Sequence, residues 1–154
     1  MTKKKFKWII QELKNSKQLK KTADKILLNR IDSLLKYSFS YLEYQTVESL
    51  HDVRIALRRV RYSMELFFNC YDEKIFLRFY KDIQDLQDSS GSVRDVDISI
   101  GNINNTIQES EIDFKNEVIK KLNLNKIFLE EEFQKKLKKF LKGKSLKEFS
   151  KQIK

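Results

Sequence analysis

Not one proline occurs in this chain, and its 154 residues include only three glycines. Sheet proteins and loop-rich enzymes turn often, and their turns draw on those two residues. A chain so poor in both is confined to long helices joined by few connections. The charged fraction is 35% against 40% hydrophobic, a balance that suits amphipathic helices. No run approaches 18 apolar residues, so no membrane-spanning helix is expected. The amino-terminal apolar stretch, Trp8-Ile9-Ile10, is too short for a signal peptide. The one cysteine, Cys70, excludes an intrachain disulfide and fits a reducing compartment. The expectation is a soluble, cytoplasmic, all-α protein, an antiparallel bundle of about five to six helices.

Apolar residues at intervals of three and four place those helices. Phe6, Ile9, Ile10 and Leu13 suggest a short helix over Lys3–Asn15. Leu19, Ala23, Ile26, Leu27, Ile31, Leu34, Leu35 and Leu42 predict a long one from about Gln18 to Tyr44. Thr46 is placed to cap the next helix, with Ser49 where a capping box prefers Glu. That helix, about Val47 to Tyr71, has an unbroken seam of Leu50, Val53, Leu57, Val60, Met64 and Phe67. A fourth helix is expected from Glu73 to Asp88, with Phe76, Phe79, Tyr80, Ile83, Leu86 and Gln87 on one side. Ser89-Ser90-Gly91 reads as its stop, and Ser92, with Asp95, as the cap of the next. Phe114, Val118, Leu122, Phe128, Phe133, Leu137, Phe140 and Leu141 outline the last helical stretch. Lys135, Lys136, Lys138, Lys139 and Lys142 cover its outside.

The net charge of +10 is unevenly placed: residues 1–70 and 114–154 each carry +8, and residues 71–113 carry −6. Such a basic chain suits a polyanionic partner, although scattered lysines also serve solubility alone. Catalytic groupings are scarce. The single histidine excludes a multi-histidine metal site, and neither a P-loop, a GxGxxG nor an HExxH occurs. Asp82, Asp85 and Asp88, with Asp95 and Asp97, read as an exposed helix face more readily than as metal ligands. No cofactor is implied. The informative feature lies beside the seam of the third helix. At about 100° per residue, His51, Arg54, Arg58 and Arg61 fall in one stripe about 80° wide. Glu65 shares that stripe and Arg59 points away from it. Guanidinium forks match phosphate oxygens. The competing reading is that Glu65 and the acidic middle of the chain neutralise them in structural pairs.

Leu50-His51-Asp52-Val53-Arg54-Ile55-Ala56-Leu57-Arg58-Arg59-Val60-Arg61 resembles the signature helix of the CHAD family, the conserved histidine α-helical domain. Leu86-Gln87-Asp88-Ser89-Ser90-Gly91-Ser92-Val93-Arg94-Asp95-Val96-Asp97 resembles its second element, with Ser90 where the family usually has leucine. Together they span a motif core at 48–98, and the whole of 1–154 is expected to form one CHAD-like domain. The resemblance implies an α-helical bundle that binds inorganic polyphosphate without turnover. Carried over, His51, Arg54, Arg58 and Arg61 are the first contacts. Arg59 and Arg94 match further basic positions, and Lys81 is added from its helix position. Asp88, Asp95 and Asp97 are expected to hold arginines or cap helices.

The family's domain pairs two related helical units about a pseudo-twofold axis, whereas this chain has room for one. Two copies are therefore expected to pair as an isologous homodimer. The Glu-x-Glu-x-Lys strand of the triphosphate-hydrolysing enzymes that often accompany the domain is lacking, so hydrolysis is not assigned. The leading expectation is a non-catalytic polyphosphate-binding protein, with polyphosphate granules as a setting. The alternatives are a helical nucleic-acid-binding protein that uses the same surface, and a hydrolase of phosphate compounds.

Overall fold

Residues 16–106 and 113–153 are described by a computed structural model, and the helix expected over Lys3–Asn15 lies outside them. The described residues form five α-helices and one short 3₁₀ turn: α1 (Lys17–Glu43), α2 (Val47–Leu66), the turn Phe68–Cys70, α3 (Glu73–Thr106), α4 (Asp113–Leu141) and α5 (Lys144–Gln152). Among them there is no strand, and no helix is long and apolar enough to cross a membrane. The fold is all-α, as the sequence implies.

Local chemistry sets each boundary. The Leu19 amide donates to Ser16 Oγ at 3.2 Å and starts α1. At the α1–α2 connection Thr46 and Ser49 form a reciprocal capping box. The Ser49 amide donates to Thr46 Oγ1 at 3.1 Å and the Thr46 amide to Ser49 Oγ at 3.0 Å. Ser49 thus does what Glu was expected to be needed for. The tight connection folds α1 back against α2. The Ile75 amide donates to Asp72 Oδ1 at 3.0 Å and starts α3.

α3 corrects the expectation of a stop at Ser89-Ser90-Gly91 with a new cap at Ser92. The helix runs unbroken through all four residues, and Gly91 does not take a positive φ. Ser90 and Ser92 bond back onto their own helix instead: Ser90 Oγ donates to the Gln87 carbonyl (2.9 Å) and Ser92 Oγ to the Asp88 carbonyl (3.2 Å). The buried line Ile83, Leu86, Ser90, Val93 crosses the segment, so packing overrides weak local propensity. Asp95 therefore caps nothing.

A second correction concerns the last stretch. Gly143 separates α4 from α5, where one final helix was expected. α5 lies on α3: Phe149 stacks on Phe79 with ring centres 4.6 Å apart and meets Phe76 edge-on at 6.0 Å. Arg78 of α3 pairs with Glu148 of α5 at 2.5 Å. One hydrophobic core draws on all five helices, from Ala23 and Leu34 through Leu57, Met64, Phe76 and Phe79 to Phe133 and Phe149. The whole α2 seam from Leu50 to Phe67 is buried in it. That burial fixes the rotation of α2 and leaves its basic stripe beside α3.

Candidate functional site

Residues seven apart on an α-helix return to nearly the same face, 20° behind. Tyr80, Gln87 and Arg94 therefore form one line on α3, and this line meets the basic stripe of α2. Because the two helices run antiparallel, the start of α2 faces Arg94 and its end faces Tyr80.

Three levels result. His51, Arg54 and Arg94 line a cavity of about 370 Å³, with Glu48 and Asp52 also contributing. Next, His51, Arg54, Ile55, Arg58 and Gln87 line a space of about 210 Å³. At the closed end Arg61 Nε donates to Glu65 Oε1 and to Tyr80 Oη, both at 3.1 Å, and Arg61 Nη1 to Gln87 Oε1 at 3.5 Å. Tyr80 Oη in turn donates to Glu65 Oε1 at 2.7 Å.

The electrostatics divide the same way. Burial pushes the Arg54 guanidinium below its usual pKa, and the neighbouring charges of Arg94 and Arg58 add to this, while Asp95 opposes it. Arginine nevertheless stays charged at neutral pH. Arg61 is instead held above its usual value, first by its bond to Tyr80 and then by Glu65, against some burial. Among the described residues no ion pair or hydrogen bond engages the side chains of His51, Arg54, Arg58 or Arg94. Structural neutralisation thus reaches Arg61 alone. Two acidic residues of α3 are bonded elsewhere: Asp82 accepts from Ser145, and Asp97 pairs with Lys126 of α4 at 2.7 Å, while Asp95 acts on Arg54 through its charge without a direct ion pair. The expectation that Asp97 holds an arginine is corrected to a lysine. Among the described residues, no group of three or more His, Cys, Asp or Glu side chains is placed to hold a metal ion.

The structure therefore gathers His51, Arg54, Arg58 and Arg94, and places Arg61 at the end of the row. Arg59 and Lys81 are exposed and line neither cavity. The sequence reading counted Tyr80 and Gln87 with the apolar side of a helix. The seven-residue spacing 80, 87, 94 was the signal that links them to Arg94, and it is usable only once α3 is known to be continuous.

The model of the CHAD domain family matches residues 3–103 of the chain. The chain belongs to the CHAD family. CHAD domains relate in general to polyphosphate binding and are generally non-catalytic binding domains. The CHAD match reaches well beyond the 48–98 motif core and takes in α1, α2 and nearly all of α3. It therefore covers both walls of the groove. α4 and α5 lie outside the CHAD match, yet their Phe133, Leu137 and Phe149 complete the core behind it. Ser90, where CHAD sequences usually have leucine, is fully buried and bonded to the Gln87 carbonyl. No curated protein and no solved structure matches the chain.

Proposed function

We propose that this protein binds inorganic polyphosphate in the α2–α3 groove, without turning it over. His51, Arg54, Arg58 and Arg94 are the contacts. Arg59 and Lys81, outside the groove, add to the surrounding positive field, as do the lysines of α4. The observation that carries the reading is the convergence of three guanidinium groups and an imidazole on adjoining cavities, with no ion pair to any of them among the described residues, although Glu48 and Asp52 share the lining of the larger space. Like charges so arranged weaken a fold unless an anion joins them. Side chains three or four residues apart on a helix lie about 5–6 Å apart. A flexible polymer with a charge on every unit can follow such a row.

The family's two-unit plan supports the further reading that two copies pair and face their grooves together. Tyr62 and Leu66, 57% and 69% exposed on α2 beside the row, give a second copy an apolar foothold. A cytoplasmic setting, with polyphosphate granules nearby, suits this activity.

Nucleic acid is the competing partner, since its phosphates would enter the same groove. It would gain from a series of aromatic stacking platforms along the groove; Phe76, Phe79, Phe133 and Phe149 are fully buried, and the exposed ring beside the row is Tyr62. Competition decides between them. Labelled long-chain polyphosphate is displaced by unlabelled polyphosphate, single-stranded RNA or duplex DNA at matched phosphate concentration and near-physiological salt. Displacement by polyphosphate alone is the expected result. Equal displacement by RNA or DNA would move the assignment to generic nucleic-acid binding.

A further inference from the structure

Arg61 is the one arginine of the row whose Nε and Nη1 donors already have side-chain partners, and Gln87 is the one side-chain amide that lines the cavity with His51, Arg54, Ile55 and Arg58. We propose that Gln87 is a phosphate-binding residue of the groove, and that Arg61 serves to aim it rather than to touch the polyanion. This rests on the polyphosphate reading above.

The argument is one of donors and acceptors. A guanidinium has five N–H donors and no acceptor. Arg61 Nη1 can therefore face only the Oε1 atom of Gln87, which it does at 3.5 Å. That contact sets the orientation of the amide and turns Nε2, with its two N–H groups, the other way. Gln87 belongs to the wall of the space of about 210 Å³ shared with Arg58 and Arg54, and Arg61 does not. Arg61 is itself fixed from behind, because Glu65 Oε1 accepts both from its Nε and from Tyr80 Oη. The chain Tyr80–Glu65–Arg61–Gln87 thus ends in an amide donor directed at the anion. It also closes the row: the carboxylate of Glu65 cancels the charge of Arg61, so the phosphate footprint stops at Arg58.

The experiment measures polyphosphate affinity across a salt series for single variants and one pair. Each cationic contact contributes roughly 0.7–0.9 to the slope of log affinity against log salt. Arg58→Ala is expected to flatten the slope by about that amount. Gln87→Ala should weaken binding about three- to tenfold with the slope unchanged, the size of one hydrogen bond. Gln87→Glu, which keeps a partner for Arg61 but offers the anion no donor, should weaken it further. Arg61→Ala should resemble Gln87→Ala in both respects, and the double variant should be no worse than either single one. Arg61→Lys keeps the charge without the fork and should lose affinity as Arg61→Ala does. It also carries the test should Arg61→Ala melt early by circular dichroism.

Two results would overturn the proposal: wild-type affinity for both Gln87 variants, or a flattened slope for Arg61→Ala. If instead Arg54→Ala with Arg58→Ala binds normally while folded, the polyphosphate site itself is misplaced, a distinct failure.

Discussion

Arg54 occupies a place that works against its own fold. It is half-buried, its charge is disfavoured by that burial, and Arg94 and Arg58 press on it. Removing one of the repelling charges should stabilise the free protein. We predict that Arg94→Gln raises the melting temperature at low salt by a few degrees, about 2–4 °C for each kcal/mol in a chain of this size. The gain should shrink as salt screens the repulsion, while polyphosphate affinity falls. An unchanged or lowered melting temperature would mean that Arg94 is held by structural partners. The double variant Arg54→Ala with Arg58→Ala is expected to abolish binding with helix content near wild type, read by titration and circular dichroism. Unfolding would recast both arginines as structural. At this scale the sequence was informative wherever one helix sufficed. The α2 row follows from the 3.6-residue period alone. Gln87 and Tyr80 were not legible, because along α3 they read as part of the Phe76–Phe79–Ile83–Leu86 side. Only the antiparallel pairing of α2 with α3 shows that they face arginines.

α3 is the element on which the site depends, since a break at Gly91 would uncouple Arg94 from Gln87 and Tyr80. Its 34 residues stay helical through Ser-Ser-Gly-Ser because Ser90 and Val93 are fully buried, a tertiary effect that local propensity could not reveal. The two glycines should therefore respond oppositely to alanine. A Cβ at Gly91 meets nothing within 4 Å, so Gly91→Ala should stabilise the protein by about 0.5–1 kcal/mol. A Cβ at Gly143 would lie 3.0 Å from the Phe140 carbonyl oxygen and 3.1 Å from that of Lys139. Gly143→Ala must push backbone apart where α4 turns into α5, and it should lower stability. Denaturant melts of both variants check the pair. That turn was missed in the sequence because the close approach of the two carbonyls exists only in three dimensions. The α3–α4 pairing gives a pH prediction. Asp97, through its hydrogen bond, raises the Lys126 pKa above 10.5 more than burial lowers it. A base that binds its proton more tightly when folded stabilises the fold fully below its unfolded pKa and loses that effect as pH rises through the folded one. Stability should therefore decline above about pH 10.5. In Lys126→Met this part of the decline should be absent, and the variant should be weaker by about 1–3 kcal/mol at neutral pH, because Asp97 is left without its partner.

At the scale of the molecule, charge is segregated in a way that the fold uses. The acidic stretch 71–113 contains the whole of α3, yet Asp82 and Asp97 bind Ser145 and Lys126 on its far side. The face of α3 toward α2 is left to Arg94, Gln87 and Tyr80. The α2–α3 groove takes most of its basic residues from α2, and a second copy brought up along α2 would add a second basic row facing it. Tyr62 and Leu66 lie beside the row, so an isologous contact through them would bring two α2 helices together about a twofold axis. The two basic rows would repel each other, and a polyanion threaded between them would remove that repulsion. Dimerisation and polyphosphate binding should therefore be linked, each strengthening the other by the same factor. In sedimentation velocity at micromolar protein we expect a dimer, with the equilibrium shifted further toward it by long-chain polyphosphate and back by high salt. Tyr62→Ser with Leu66→Ser should yield a monomer that still binds, but more weakly, since the second row no longer acts at high effective concentration. A wild-type monomer at micromolar concentration, with and without polyphosphate, would show instead that a single α2–α3 groove is the whole binding unit.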